Sequence, residues 1–307
     1  MRRRTAALTL TGAFILACAG SSSAQGAAPP PDQARAPFRT IEYFGGLTVV
    51  GARADSMLTT AYVPAITSYS DPLPGSTAGQ SLQMRSSRTV GLEGGFNYFF
   101  RPDLGVQVLV GYDRCDLSGQ NADYRVLLNY SAMQPPDYIA RSYTFDRTFP
   151  AVDTTGSLSQ LTVGLNGIGR WAIGRRLTAE LSGGLSYIRM GGNAQPLRYT
   201  AFGMGGHSTL FSEDYQLAVT LESAGALGIN LGGGLDVELL PGVSVMADAR
   251  YFRSGNITAN VSVTRILNET DLITIQDLAT IQRTLRAPAV TVNPDRARVM
   301  VGLRIRR

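Results

Sequence analysis

The sequence predicts an all-β chain, an antiparallel up-and-down transmembrane β-barrel of about eight strands. Three observations predict it. Apolar and polar residues alternate with period two through runs of roughly ten residues. The connections between these runs alternate long and short, which in an antiparallel meander gathers the long ones at one end. An export signal opens the chain, yet no apolar run of about 20 residues follows it. A closed barrel is then the remaining structure whose backbone is satisfied in lipid.

The pattern is cleanest at 225–252, two alternating runs about a Leu240-Pro241-Gly242 turn. Leu227, Ile229, Leu231, Leu235, Val237 and Leu239 share one face; Asn230, Asp236, Glu238 and the glycines Gly228, Gly232 and Gly234 share the other. In the returning run Val243, Val245, Ala247, Ala249 and Tyr251 oppose Ser244, Met246, Asp248, Arg250 and Phe252.

Residues 1–24 read as a signal peptide: Arg2, Arg3 and Arg4, an apolar stretch to Ala17, then small residues Ser22 and Ala24 before the cleavage point. Cys18 after Ile15-Leu16-Ala17 leaves a lipoprotein signal as the alternative. Cleavage removes three arginines and moves the formal charge from +5 to +2 (5 − 3), so the basic balance makes no case for nucleic acid. Cys115 is then unpaired and no internal disulfide is expected. Residues 25–38, rich in Ala and Pro, read as a flexible tail, and 39–307 as the barrel.

The first strand, 39–52, alternates Ile41, Tyr43, Leu47 and Val49 with Thr40, Glu42, Gly46 and Thr48. The second, 88–100, sets Val90, Leu92, Phe96, Tyr98 and Phe100 against Glu93 and Asn97; the third sets Val106, Val108, Val110 and Tyr112 against Gln107, Gly111 and Asp113. The fourth, 157–171, carries Leu161, Val163, Leu165 and Trp171 opposite Gln160, Thr162, Asn166 and Arg170. In the fifth, 177–189, Leu181, Leu185 and Tyr187 oppose Glu180, Ser182 and Ser186. The hairpin supplies the sixth and seventh. In the last, 296–306, Ala297, Val299, Val301, Leu303 and Ile305 oppose Arg298, Met300, Gly302, Arg304 and Arg306. Residues 53–87, 117–155, 191–222 and 254–294 read as long loops. Within them Tyr215 to Leu221 extends the sixth strand, 256–263 starts strand-like, and Ile275, Leu278, Ile281 and Leu285 fall at helical spacing.

Alternation alone leaves open which face is inside, because a secreted sandwich has the same period. The glycine, serine and threonine on the polar face suit the narrow interior of an eight-stranded barrel. The aromatics of the apolar face sort by depth: Tyr43, Phe100 and Trp171 at the short-turn end, Tyr112, Tyr187 and Tyr251 at the long-loop end. Two aromatic girdles bordering an apolar band point to lipid outside.

On strand count, loop alternation, girdles and export signal, 39–306 resembles the small outer-membrane β-barrel family, the OmpA-type eight-stranded transmembrane domain and its relatives. The resemblance is architectural, without a short diagnostic motif. It implies the cell outer membrane, with termini and short turns in the periplasm and long loops outside the cell. It also implies outer-membrane lipid and the barrel assembly machinery as partners. Those barrels commonly end in an aromatic residue, whereas this chain ends Ile305-Arg306-Arg307.

The inward set holds Glu42, Glu93, Asp113, Glu180, Asp236, Glu238 and Asp248, with Arg170, Arg250, Arg298 and Arg304. Buried charges must pair or neutralise. A salt-bridge network plugging the lumen is therefore expected, with Arg304 near Glu42 across the closing strand pair. The excess of carboxylates would make any leak cation-preferring. The single histidine, His207, sits beside Ser208 in a Gly-rich loop, and no metalloprotease, elbow-serine or phosphate-loop motif occurs. No catalytic residue, metal or cofactor is expected, and the chain is expected to be a monomer. The reading is an integral outer-membrane barrel with a non-catalytic structural or surface-interaction role, meeting an extracellular ligand through its long loops. A narrow pore for small solutes is the alternative, and a lipid-modifying barrel enzyme the third.

Overall fold

The computed structural model describes residues 39–51, 56–64, 66–67, 72–133, 136–137, 139–205, 209–268, 276–285 and 289–307. In chain order its elements are β1 (Thr40–Val50), β2 (Ser56–Tyr62), β3 (Ile66–Thr67), β4 (Thr77–Ser86), β5 (Thr89–Phe99), β6 (Leu104–Met133) and β7 (Ala140–Thr148). There follow β8 (Val152–Ala172), β9 (Leu177–Met204), β10 (Leu210–Leu240), β11 (Val243–Ser254), β12 (Ile257–Ile266), α1 (Leu278–Leu285), β13 (Ala289–Val292) and β14 (Arg296–Arg306).

Eight strands close a ring in chain order. β1 pairs with β5, β5 with β6, β6 with β8 and β8 with β9. β9 pairs with β10, β10 with β11, β11 with β14, and β14 returns to β1, every pair antiparallel. This is the up-and-down barrel that the alternation predicts. The connections at 100–103, 173–176 and 241–242 are short and lie at one end, and Gly242 takes the positive φ (80°) that its tight turn requires.

The apolar face points outward. Leu47, Leu92, Val110, Leu165, Leu185, Leu227, Leu231 and Val301 are all exposed, and they form one continuous belt around the ring. A belt of this kind in water would carry a large penalty, whereas in lipid it is matched. The barrel is therefore a transmembrane one.

The long connections are not loops, and this corrects the sequence reading. β6 runs for 30 residues, roughly 100 Å at about 3.3 Å per residue, where a bilayer crossing needs only about 10. β8, β9 and β10 overrun the belt likewise. Above it they close a second ring with four further strands. β4 pairs with β6, β10 with β12, β12 with β13, β13 with β2, and β2 with β4. Thus β2, β4, β12 and β13 continue the lines of β1, β5, β11 and β14 after short interruptions. β7 continues the line of β8 along β6 but has no second neighbour among the described strands. One pairing is parallel, the two-residue contact of β3 with β9.

The two storeys have opposite interiors. Within the belt the lumen is polar; above it the core is apolar, with Leu82, Met84, Leu117, Val126, Leu128, Leu158, Met190, Leu197, Val219 and Val261 buried together. Helix α1 lies where the helical spacing predicts one and buries Ile281 and Leu285 in this exterior core. Ile275 lies outside the described residues.

Candidate functional site

Period two aims every second belt residue into the lumen, and there the charges settle in three tiers. In the tier nearest the short turns, Arg170 Nη1 donates to Glu42 Oε1 at 2.5 Å and Arg306 Nε to the same oxygen at 2.8 Å. Arg304 binds Glu180, with Nη2 2.7 Å from Oε2, and also contacts Asp236. In the middle, Arg250 pairs with Asp248 at 3.3 Å and donates to Asn230 at 2.8 Å and to Gln107 and Ser182 at 2.9 Å. In the upper tier Arg298 bridges Glu93 and Asp113, and Arg296 reaches Asp113 at 2.5 Å and Thr162 at 2.6 Å. The tiers hold three carboxylates against three arginines, one against one, and two against two. Such burial is tolerable because each charge has its counter-charge, and Arg170, Arg250 and Arg296 donate further hydrogen bonds to neutral groups.

Arg304 lies near Glu42 as expected, at 3.7 Å, while the register sets Arg306 directly opposite Glu42 and gives it the closer contact. Two expectations need correction. Glu238 lies outside the tiers; it lines the lumen mouth and accepts a hydrogen bond from the Gly242 amide at 3.4 Å. With Arg296 and Arg306 recruited there is no carboxylate excess. Both share the parity of Arg298 and Arg304, so the signal for them was in the sequence.

Glycines make room for these guanidinium groups. A Cβ on Gly111 would strike Arg298 Nη1, and one on Gly232 would lie 3.0 Å from Arg250 Cζ. Among the described residues, the lumen mouth at the turn end holds a cavity of about 60 Å³. One cavity of about 10 Å³ lies beside Asp113 and Cys115, and another of about 10 Å³ lies in the exterior core. Cys115 is buried beside Leu158, its sulfur 3.5 Å from that residue's carbonyl. On the outer face all six girdle residues, Tyr43, Phe100, Trp171, Tyr112, Tyr187 and Tyr251, are at least 43% exposed.

The exterior storey carries its own polar cluster inside an aromatic core. Tyr62 and Tyr124 share a hydroxyl–hydroxyl hydrogen bond of 2.6 Å. Tyr124 donates to Thr200 Oγ1 at 3.0 Å, and Thr200 donates to Asp214 at 2.8 Å. The Tyr199 hydroxyl donates to Gln276 at 2.6 Å, and its ring stacks on Tyr62. Burial pushes the Tyr124 and Tyr199 hydroxyls up to about 12, and burial with help from the Tyr124 neighbour raises Tyr62 well above its ordinary value.

β7 gives this storey an open edge. Phe149 donates its amide to the Tyr124 carbonyl at 2.8 Å, which fixes the phase of the β6–β7 ladder. By the alternation of antiparallel pairing, Ser142, Thr144 and Asp146 then turn their backbone groups away from β6. His207 and Ser208 lie outside the described residues.

No protein-family model matches the chain, nor does any curated protein. Solved structures that resemble it include Ail, the attachment invasion locus protein of Yersinia pestis, at 8% identity and a TM-score of 0.32, over 88% of this chain and 97% of that one. A major outer membrane protein from Thermus thermophilus matches at 11% and 0.37, over 87% and 99%. The outer membrane protease OmpT from Escherichia coli matches at 10% and 0.37, over 87% and 97%. These are likenesses of overall fold; the transmembrane barrel rests on this chain's own strand ring and belt.

Proposed function

We propose that the chain is a monomeric, non-catalytic surface-interaction protein of the bacterial outer membrane, exported by its signal peptide and seated by the barrel assembly machinery. Its membrane storey anchors it in outer-membrane lipid, and its exterior storey meets a ligand outside the cell. The observation that carries this reading is β7, a nine-residue edge strand held well above the lipid belt, with one strand neighbour among the described residues and mostly exposed residues along its length. Such an edge accepts an added strand. The charge-balanced tiers speak for an anchor rather than a pore, since a conducting path needs space that side chains occupy here.

The test is adhesion of cells displaying the protein, compared with cells displaying a version whose β6–β7 hairpin is shortened by removing 127–146. Equal surface levels, an unchanged heat-shifted gel band and equal protease resistance of the exterior storey would show that both proteins are assembled in both storeys. Loss of adhesion with the shortened hairpin supports the reading. Equal adhesion by both, or steady conductance steps from the intact protein in a planar bilayer, contradicts it.

A further inference from the structure

We infer that the lumen mouth at the short-turn end is a binding site for a phosphate group. The cavity of about 60 Å³ there is walled by Arg175, Arg176, Asp236, Glu238, Arg304 and Arg306, with Ser244 beside them. Two of these cations are already engaged, Arg304 with Glu180 and Asp236, and Arg306 with Glu42. Arg175 and Arg176 are different. They sit side by side in the 173–176 turn, exposed, with no ion pair among the described residues, and only Glu238 of the lining acids is uncommitted to an arginine.

Arg304, buried to 2% exposure, keeps its guanidinium on Glu180 and Asp236 in the cavity wall. The site thus offers the two guanidinium forks of Arg175 and Arg176 to an anion, with the Ser244 hydroxyl beside them. A phosphate group carries acceptor oxygens for both forks. Guanidinium forks match its oxygens bidentately, which a halide does not exploit. Two sources supply this chemistry, free phosphate and the phosphodiester of a lipid headgroup. The inference is independent of the exterior role, which lies at the other end of the barrel.

The experiment uses the full barrel in maltoside micelles, which carry no phosphate. Inorganic phosphate is titrated at constant ionic strength and followed by 31P NMR, with chloride as the balancing salt. A saturable response is expected, weakened at least tenfold in the Arg175→Gln, Arg176→Gln double variant. Arg101→Gln, in the neighbouring turn, should bind as the parent does. Glu238→Gln removes the opposing carboxylate and should tighten binding several-fold, a sign that misfolding does not produce. Dihexanoylphosphatidylglycerol, kept below its micelle concentration, identifies the source. Tighter binding than inorganic phosphate assigns the lipid phosphodiester, and weaker binding assigns the free anion. An unsaturable response, or one that is equal in parent and double variant, overturns the site.

Discussion

Up to Tyr112, strand β6 shows Val106, Val108 and Val110 to its surroundings and turns Gln107, Gly111 and Asp113 inward. Past that level the same strand shows Arg114, Asp116 and Ser118 and hides Cys115 and Leu117. β8 inverts at the matching step, from outward Leu161 to outward Ser159, and β9 from Tyr187 to Arg189. Neither the backbone ladder nor the ring is interrupted in these strands; the parity holds, the solvent changes, and apolar and polar residue types exchange faces. One barrel thus holds two cores under opposite rules. Burial of apolar surface away from water holds the exterior storey. In the membrane storey lipid removes that drive, so balanced ion pairs and hydrogen bonds fill the lumen.

The comparison breaks most readily in the membrane storey. Arg304→Ala strands Glu180 and Asp236 without their main counter-charge, and a loss of about 3–5 kcal/mol is expected. The check is a lower temperature for loss of the compact gel band. Leu128→Ala, fully buried in the exterior core, should cost about 2–5 kcal/mol. Its signature is different: faster proteolysis of the exterior storey while the heat-shifted band persists. Gly111→Ala drives a methyl into the Arg298 guanidinium and should cost about 1–3 kcal/mol, again read from the gel band.

Alkaline pH sharpens the contrast. Tyr124 and Tyr199 keep their protons to about pH 12 when folded but release them near 10 when unfolded. Their contribution is complete below pH 10 and is lost as pH rises through 10 to 12. Protease resistance of the exterior storey should fall across that window. The smallest effect is expected at the exposed Arg125–Asp146 pair, 2.6 Å apart in full contact with water. Asp146→Asn should leave the melting temperature unchanged, and a measurable drop would show that pair to be less solvated than its position implies.

The membrane storey was legible because lipid and lumen differ so strongly that period two survives in every belt strand. Outward Leu227 to Leu239 and inward Asn230 to Glu238 needed nothing more than parity. The exterior strands were hidden by register shifts. In β10 the inward residues change from Val219 and Leu221 to Ala224 and Ala226, across an irregularity between Leu221 and Ala224. In β9 they change from Met190 and Ala194 to Leu197 and Tyr199. A bulge flips every later side chain, so a window spanning it shows no period. Of the charge tiers, membership followed from parity, but partners did not. Which of Arg304 and Arg306 meets Glu42 more closely depends on the register of the closing strand pair, which hydrophobic pattern fixes only to within two residues.

The most direct test of the inversion is a cysteine scan along the outer face of β6. In a chain begun at residue 25 and carrying Cys115→Ser, single nitroxide labels are placed at 108, 110, 112, 114, 116 and 118 in lipid bilayers. Spin-relaxation enhancement by oxygen and by a water-soluble nickel chelate then reports depth. The account predicts oxygen-dominated relaxation through 112 and nickel-dominated relaxation from 114 onward. Labels equally open to the nickel chelate at all six positions would contradict it, because the apolar belt would then face water.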